Sequence, residues 1–297
     1  MATIIYYTSC PVCSSTAIQK VITPKDFMIT QQEFEVWECA TCTLRFTQAI
    51  PTEQEIGLYY QSESYVSHTD TQKGLINKLY HRVRRITLSN KRKLIASVPH
   101  TGKNLLDIGA GTGAFVDYMK QHGWQVSGVE ADELARKKAT ELYGLSLHPT
   151  PGLFTLPPNH YDIITLWHVL EHVHGLHEYI AQIKKLLVNG GTLLIAVPNY
   201  TSYDARLYKE YWAAYDVPRH LYHFSPGSMR VLLKNHELKL RAIKPMWFDS
   251  FYVSLLSEKY KTGTAGAVKG FVNGFVSNWK ALLNKERCSS LIYVIST

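Results

Sequence analysis

The chain has 297 residues, 45% of them hydrophobic, with 32 Lys and Arg against 24 Asp and Glu for a formal charge of +8. That length is enough for about two packed domains. No window approaches the roughly 18 apolar residues of a bilayer span, and the stretch before Lys20 has no Lys or Arg to open a secretory signal, so a cytoplasmic protein without a transmembrane segment is expected.

Four of the five cysteines form two C-x-x-C pairs, Cys10 with Cys13 and Cys39 with Cys42, while Cys288 stands apart. Two such knuckles present four thiolates to one tetrahedral ion, which predicts a zinc ribbon. A short segment of this kind needs such a staple to fold. Four thiolates close the coordination shell, so the zinc is expected to be structural. Residues 51–70 follow, rich in Tyr and without apolar period; Tyr59, Tyr60 and Tyr65 are candidates to cap a cleft. The ribbon and this connector together occupy 1–70.

Residues 71–100 hold a basic amphipathic helix. Lys73, Lys78, Arg82, Arg84, Arg85, Lys91, Arg92 and Lys93 are its cations, and 73–95 has no acid. Leu75, Ile76, Leu79, Val83 and Ile86 recur at helical spacing, giving one packing face and one basic face. The basic face reads in three ways: as solvated surface, as a rim that attracts a phosphate-bearing acceptor, or as a nucleic-acid or membrane surface.

The next domain, 101–297, opens with strand–glycine turn–helix. In Leu-Leu-Asp107-Ile-Gly109-Ala110-Gly111-Thr-Gly113-Ala-Phe115 the glycines allow backbone angles closed to other residues and a close ligand approach. Glycine spacing alone also fits a dinucleotide fingerprint. Asp107, two residues before the first glycine, would repel a pyrophosphate and attract a cationic ligand such as S-adenosylmethionine.

Asp107 to Gly113 resembles the first motif of class I S-adenosylmethionine-dependent methyltransferases, and in its ribbon the chain is similar to the bacterial quinone and sugar methyltransferases that carry a zinc ribbon. The resemblance implies an α/β fold: a Rossmann-like seven-stranded sheet with helices on both faces, plus the small N-terminal ribbon. It implies that Glu130, ending the second strand beside Ala131, holds both ribose hydroxyls of the cofactor. Strands are expected at 103–108, 125–130, 145–147, 161–166 and 192–197, with helices at 113–122, 132–143 and 176–188. The loop 148–160 lacks the acid that would hold the adenine amino group, leaving backbone near Gly152 and Leu153 for that task. Trp167 ends the fourth strand and joins the expected cofactor contacts. The Glu171-His172 pair after it resembles that of many quinone, sugar and lipid methyltransferases. Some of them place a divalent cation where a further Glu precedes this pair, but here His168 takes that place.

The insert 200–226 has eight Tyr, Trp or Phe residues and the cluster Asp216-Val-Pro-Arg219-His220-Leu-Tyr222-His223, similar to a string that follows strand five in related members. It is expected to face the acceptor, with Arg219 gripping an anionic group and Tyr222 beside it; pairing of Arg219 and His220 with local carboxylates is the competing reading. His172, His168, Glu171, His220 and His223 are the candidates to take an acceptor's proton, His172 first. Helix 227–240, strand 239–244 and a last antiparallel strand 289–297 at the sheet edge complete the domain. A second insert, 246–288, contains 263–283, in which Ala267, Phe271, Phe275, Trp279 and Leu282 share one helical face. Packing of that face against the sheet is expected, with a lid, a dimer contact or an interfacial helix as alternatives.

The implied function is methyl transfer by direct in-line displacement to a small-molecule, sugar- or lipid-linked acceptor, with or without a phosphate. A second reading is an RNA methyltransferase holding nucleic acid with ribbon and basic helix. Against it, no Asn-Pro-Pro-aromatic motif follows strand four and no core cysteine nucleophile is present. A non-catalytic cofactor-binding subunit is a third. The oligomeric state is open.

Overall fold

The computed structural model describes residues 4–60, 75–263 and 266–297; the side chains of 75–83 lie outside that description. The expectations for Tyr65, Lys73, Lys78, Arg82, Leu75, Ile76, Leu79 and Val83 therefore fall outside the described residues. The chain divides into two compact units, one of 1–62, 168–177 and 195–293, the other of 63–167, 178–194 and 294–297.

The ribbon is built from short antiparallel strands. β1 (Ile4–Ile5) pairs with β5 (Ile50–Pro51), while β2 (Ile18–Ile22), β3 (Val36–Cys39) and β4 (Arg45–Thr47) form a sheet. A fourth strand joins that sheet from far downstream: β10 (Tyr222–His223) pairs with β4, Tyr222 opposite Phe46 and His223 opposite Arg45. The ribbon thus shares a sheet with the aromatic insert.

The basic segment forms helix α1 (Leu75–Ala96). Then come β6 (Asn104–Ile108), α2 (Ala114–Gln121), β7 (Gln125–Val129), α3 (Glu133–Tyr143), β8 (Tyr161–Trp167), α4 (Leu176–Leu186) and β9 (Leu187–Pro198). After the insert's α5 (Tyr203–Tyr208) follow α6 (Pro226–Asn235), β11 (Lys239–Pro245), α7 (Asp249–Thr262), α8 (Ala267–Leu283) and β12 (Ser290–Ser296). The large sheet has the order β11-β12-β9-β8-β6-β7, as the α/β expectation requires. The third expected strand is reduced to one bridge, Val129 with His148. β12 lies inside the sheet and β11 at its edge, correcting the edge position expected for the last strand.

Chain pattern explains the half that carries the turn. β6 and β8 are buried along nearly their whole length, as strands covered on both faces must be. β6 pairs in parallel with β7 on one side and β8 on the other, so strand order reverses beside β6. Such a reversal opens a crevice at the carboxyl end of the strand, where the glycine turn begins. Asp162 anchors the start of β6, accepting from the Gly102 and Asn104 amides at 2.7 and 3.0 Å and from the Thr101 hydroxyl at 3.1 Å. α3 is capped at its start by Asp132, which accepts from the Leu134 amide, and ends at left-handed Gly144.

Gly113, the N-cap of α2, has φ +79°, and a Cβ there would lie 3.0 Å from Leu145 Cδ1 and 3.1 Å from Ala139 Cβ. Gly113→Val therefore combines strain and overpacking, and is expected to lower unfolding free energy by about 2 kcal/mol or more in a urea titration. An unchanged midpoint would contradict this packing.

Candidate active site

In the 63–167 unit the glycine turn forms a cradle. A Cβ on Gly111 would meet nothing within 4 Å, so the main chain is open to a ligand there. The Gly111 amide donates to Glu130 Oε2 at 2.6 Å and the Asp132 amide to Glu130 Oε1 at 2.9 Å, so Glu130 braces the turn. The Gly109 and Ala110 amides both donate to the Val129 carbonyl, which fixes the turn against β7.

Asp107 is 2% exposed, and its Oδ1 accepts from the Thr165 hydroxyl at 2.5 Å. Burial pushes its pKa up to about 7, with the Lys91 charge and the Thr165 bond opposing. Lys91 was expected only as part of a basic face. It lies 4.2 Å from the Trp167 ring centroid and 5.2 Å from that of Phe115, so this cation is directed inward toward Asp107. Trp167 Nε1 is buried without a hydrogen-bond partner, a donor of the kind a bound ligand satisfies. Gly152 and Leu153 stand in a 3-10 turn, and each carbonyl already accepts a bond, from Thr155 Oγ1 and Gln182 Nε2. An adenine amino group would have to share those oxygens.

In the other unit the four ribbon cysteines converge. Their sulfur atoms all lie within 4.8 Å of one another, with Cys10 to Cys42 at 3.4 Å and Cys13 to Cys39 at 3.5 Å. Tetrahedral zinc with bonds of about 2.3 Å sets sulfurs about 3.8 Å apart, so the donor set fits such an ion. The Cys10 thiol is pulled down to about 5 by the Cys42 sulfur, and Cys42 is pushed up by Cys10.

The same unit gathers His168, Glu171, His172 and His220. His168 has φ +58°, a left-handed angle that is uncommon for such a residue. Its Nε2 lies 2.8 Å from Asp249 Oδ2 and its Nδ1 3.2 Å from Glu171 Oε1. Against a burial penalty that acts the other way, Asp249 and then Glu171 raise its pKa to about 10. His168 is thus a doubly donating imidazolium, which corrects its expected role as a base. Glu171 is fully buried, yet His168 keeps it below the usual carboxylate range. Its Oε2 has no hydrogen-bond partner.

His172 Nδ1 lies 3.0 Å from the Arg219 carbonyl, which can only accept, so Nδ1 carries the proton and Nε2 is an acceptor. The Tyr60 hydroxyl is also 3.0 Å from Nδ1. Burial, then the neighbouring His220, lowers the His172 pKa to about 4, so the ring is neutral at pH 7. His220 Nδ1 similarly donates to the Ala214 carbonyl at 2.9 Å, and its ring meets His172 edge to face at 4.5 Å. Glu171, His172 and His220 each offer one ligand atom within 4.8 Å of the others, a grouping that suits a proton, a hydroxyl donor or a cation.

His223 does not join them. The Thr47 hydroxyl donates to the His220 carbonyl at 2.7 Å, so at 3.1 Å from Thr47 Oγ1 it is His223 Nε2 that donates. Burial holds the His223 pKa well below its ordinary value, and the ring lies outside the grouping of Glu171, His172 and His220. Tyr222 is buried too, its hydroxyl donating to the His174 carbonyl at 3.1 Å, which removes it from the expected acceptor contacts.

Arg219 is also corrected. It is 1% exposed, and its guanidinium donates to Asp26 Oδ1 at 2.9 Å, to both Asp216 oxygens between 2.6 and 3.1 Å, and to the Tyr59 carbonyl at 2.9 Å. It clamps the ribbon's Asp26 to the aromatic insert and has no face left for an anionic acceptor. Asp26, Asp249 and Lys91 are the contributors that sequence reasoning missed. Only Lys91 had a signal, as one of the cations of the basic helix.

A family model described as a methyltransferase domain matches residues 79–243, over half of the chain. The chain belongs to this methyltransferase family. It is an S-adenosylmethionine-dependent methyltransferase. It is 28% identical over 171 residues to a ubiquinone biosynthesis O-methyltransferase of Maricaulis maris (strain MCS10), covering 53% of this chain and 67% of that protein. A protein of the same name from Caulobacter sp. (strain K31) is 32% identical over 110 residues, 35% of this chain and 44% of the relative. Among solved structures, the geranyl diphosphate C-methyltransferase of Streptomyces coelicolor A3(2) shares the fold with a TM-score of 0.51 at 12% identity, covering 80% of this chain and 86% of that one.

Removing a partner from a buried ion cluster strands the remaining charges, at a cost of about 3–5 kcal/mol. Arg219→Ala is expected to lose that much in chemical denaturation. Arg219→Lys should recover little of it, because an ammonium lacks the planar fork that serves two carboxylates. Full recovery by Lys would show that charge alone holds the insert.

Proposed function

We propose that this methyltransferase moves the methyl group of S-adenosylmethionine to a hydroxyl of a small-molecule acceptor, quinone- or sugar-like and lipid-linked, by in-line displacement. The observation that carries the reading is the convergence of Glu171, His172 and His220, each offering one ligand atom within 4.8 Å of the others, with the buried Glu171 Oε2 unpaired. A hydroxyl must lose its proton as its oxygen takes the methyl group. The ionised Glu171 and the neutral His172 ring are the groups that can receive that proton. The O-methyltransferase names of the relatives support oxygen as the atom methylated.

The cofactor supplies the electrophilic methyl and its own leaving group. Asp107, the Gly109–Gly113 turn, Glu130 and Trp167 would hold it, through the buried carboxylate's attraction for a cation, the open main chain at Gly111 and the unpaired indole N–H. His172 and Glu171 orient the acceptor hydroxyl, and His168 keeps Glu171 ionised. Zinc is the ion proposed for Cys10, Cys13, Cys39 and Cys42. Its closed shell gives it a folding role, and metal analysis is expected to find about one zinc per chain.

Asp107 attracts the cofactor only when ionised. Its raised pKa means that it holds its proton below about 7, so cofactor affinity should increase as pH rises through that value, by up to about tenfold per unit on the acid side. Calorimetry across about pH 6 to 8 is expected to show this rise, and Asp107→Asn should bind weakly with a flat profile. A flat profile in the unaltered protein would remove Asp107 from the cofactor site.

For the reaction, formation of S-adenosylhomocysteine is expected with phenolic quinone precursors, and His172→Ala should lower kcat by about a hundredfold or more with little change in cofactor affinity. Turnover on structured RNA with none on phenols would overturn the acceptor class.

A further inference from the structure

The α7–α8 hairpin is packed in reverse of an ordinary amphipathic pair. The face of α8 turned to the protein is made of small residues: Gly270, Gly274, Ser277 and Ala281 are buried. A Cβ on Gly270 would come within 2.8 Å of Leu255 Cα, and one on Gly274 within 2.8 Å of Phe251 Cα, so the backbones of the two helices touch. The large side chains point outward. Val268, Phe271, Phe275, Trp279, Leu282 and Leu283 are all exposed, Trp279 at 62% and Leu283 at 85%. This corrects the expectation that the aromatic face of 263–283 packs against the sheet. A helix selected only to pack would bury these residues; a contiguous exposed apolar stripe marks an interaction surface.

The charges around the stripe identify the partner. α8 has no acidic residue, and from Lys259 to Arg287 six basic residues stand against one acid, Glu286. Glu286 is paired with Arg230, and the exposed Lys269 lies beside buried Glu258. At the carboxyl end of α8 the stripe runs into an open cleft of about 790 Å³ lined by Leu282 and Leu283 together with Arg230, Arg241, Lys285 and one acid, Glu286, so three cations face one carboxylate there. Apolar side chains next to a basic cleft match the two layers of a membrane surface, acyl chains below and anionic headgroups above. A second copy of the chain fits less well, because a twofold contact through this face would set the same basic rims against each other.

We propose that α8 lies in the plane of a bilayer surface, with Phe271, Phe275 and Trp279 among the acyl chains and the cleft at Lys285 receiving anionic lipid headgroups. No described helix is long and apolar enough to cross the membrane, so this is attachment from one side. The inference stands apart from the choice of methyl acceptor, since adhesion is read without any turnover.

The test is co-sedimentation of the full chain with vesicles of phosphatidylcholine alone and with about 30% phosphatidylglycerol. Binding is expected to the anionic vesicles and to weaken as salt rises. The double variant Phe275→Glu/Trp279→Glu should partition about tenfold less or worse while keeping the cofactor affinity and melting temperature of the parent. Leu283→Glu, at the exposed end of the helix, gives a second reading if the double variant fails to fold, with a weaker loss expected. Equal binding by parent and variants, or no binding to anionic vesicles, would overturn the proposal. So would a parent that ignores vesicles but self-associates in sedimentation velocity through this face, since a second copy would then be its partner.

Discussion

One buried guanidinium joins the N-terminal ribbon to the aromatic insert. Arg219 binds Asp26 from the ribbon and Asp216 from the aromatic insert, and its own carbonyl accepts from His172 Nδ1. Its side chain therefore joins two segments far apart in sequence, while its backbone decides which nitrogen of His172 is bare. The planar fork of arginine is what allows one cation to serve both carboxylates. Strand pairing makes the join continuous: β10 adds to the ribbon sheet at β4, and Thr47 of β4 donates to the carbonyl of His220. The Thr43 and Ser225 hydroxyls meet at 2.7 Å, and the Tyr200 hydroxyl donates to the Thr43 carbonyl, so the second cysteine knuckle is tied to the cap of α6. In this arrangement the metal staple and the histidine cluster belong to one cooperative piece of structure.

Charge is then divided between the histidines by their partners. His168, between Asp249 and Glu171, is held as a cation, and that cation keeps the buried Glu171 ionised. His172 donates Nδ1–H to the Arg219 carbonyl and is left with Nε2 as acceptor, while His220 lies between the Ala214 carbonyl at Nδ1 and the Asp216 carboxylate, 3.9 Å from Nε2. The partners of His168 and His172 thus set different charges on two neighbouring imidazoles. The unit holding the glycine turn follows a different logic. There the carboxyl group of Asp107 is buried beside Lys91 and Thr165, and burial pushes its pKa up to about 7.

What the sequence made legible was local. The glycine turn, the strands around Leu105 and Ile163, the cysteine knuckles and the Glu-His pair each declare themselves within a dozen residues, through periodicity or fixed spacing. The charge of His168 was not legible, because it depends on Asp249 far downstream, and without that partner a histidine near a carboxylate reads as a base. Arg219 pairs with the local carboxylate Asp216, as its competing reading expects, whereas its second partner Asp26 lies in another part of the chain and leaves no local signal. In α8 the period showed one large apolar face and one small-residue face. Period alone does not say which is packed, and close backbone contact at Gly270 and Gly274 chose the small one. The third strand is reduced to a bridge at His148, whose amide and carbonyl pair with Gly128 and Glu130.

Amide hydrogen exchange before and after treatment with a metal chelator measures whether the cysteine knuckles and the histidine cluster are coupled. Loss of the metal is predicted to release protection in 216–223 along with the cysteine knuckles, while the amides of β6 and the affinity for S-adenosylmethionine stay unchanged. Protection of 216–223 that survives metal removal would contradict the account.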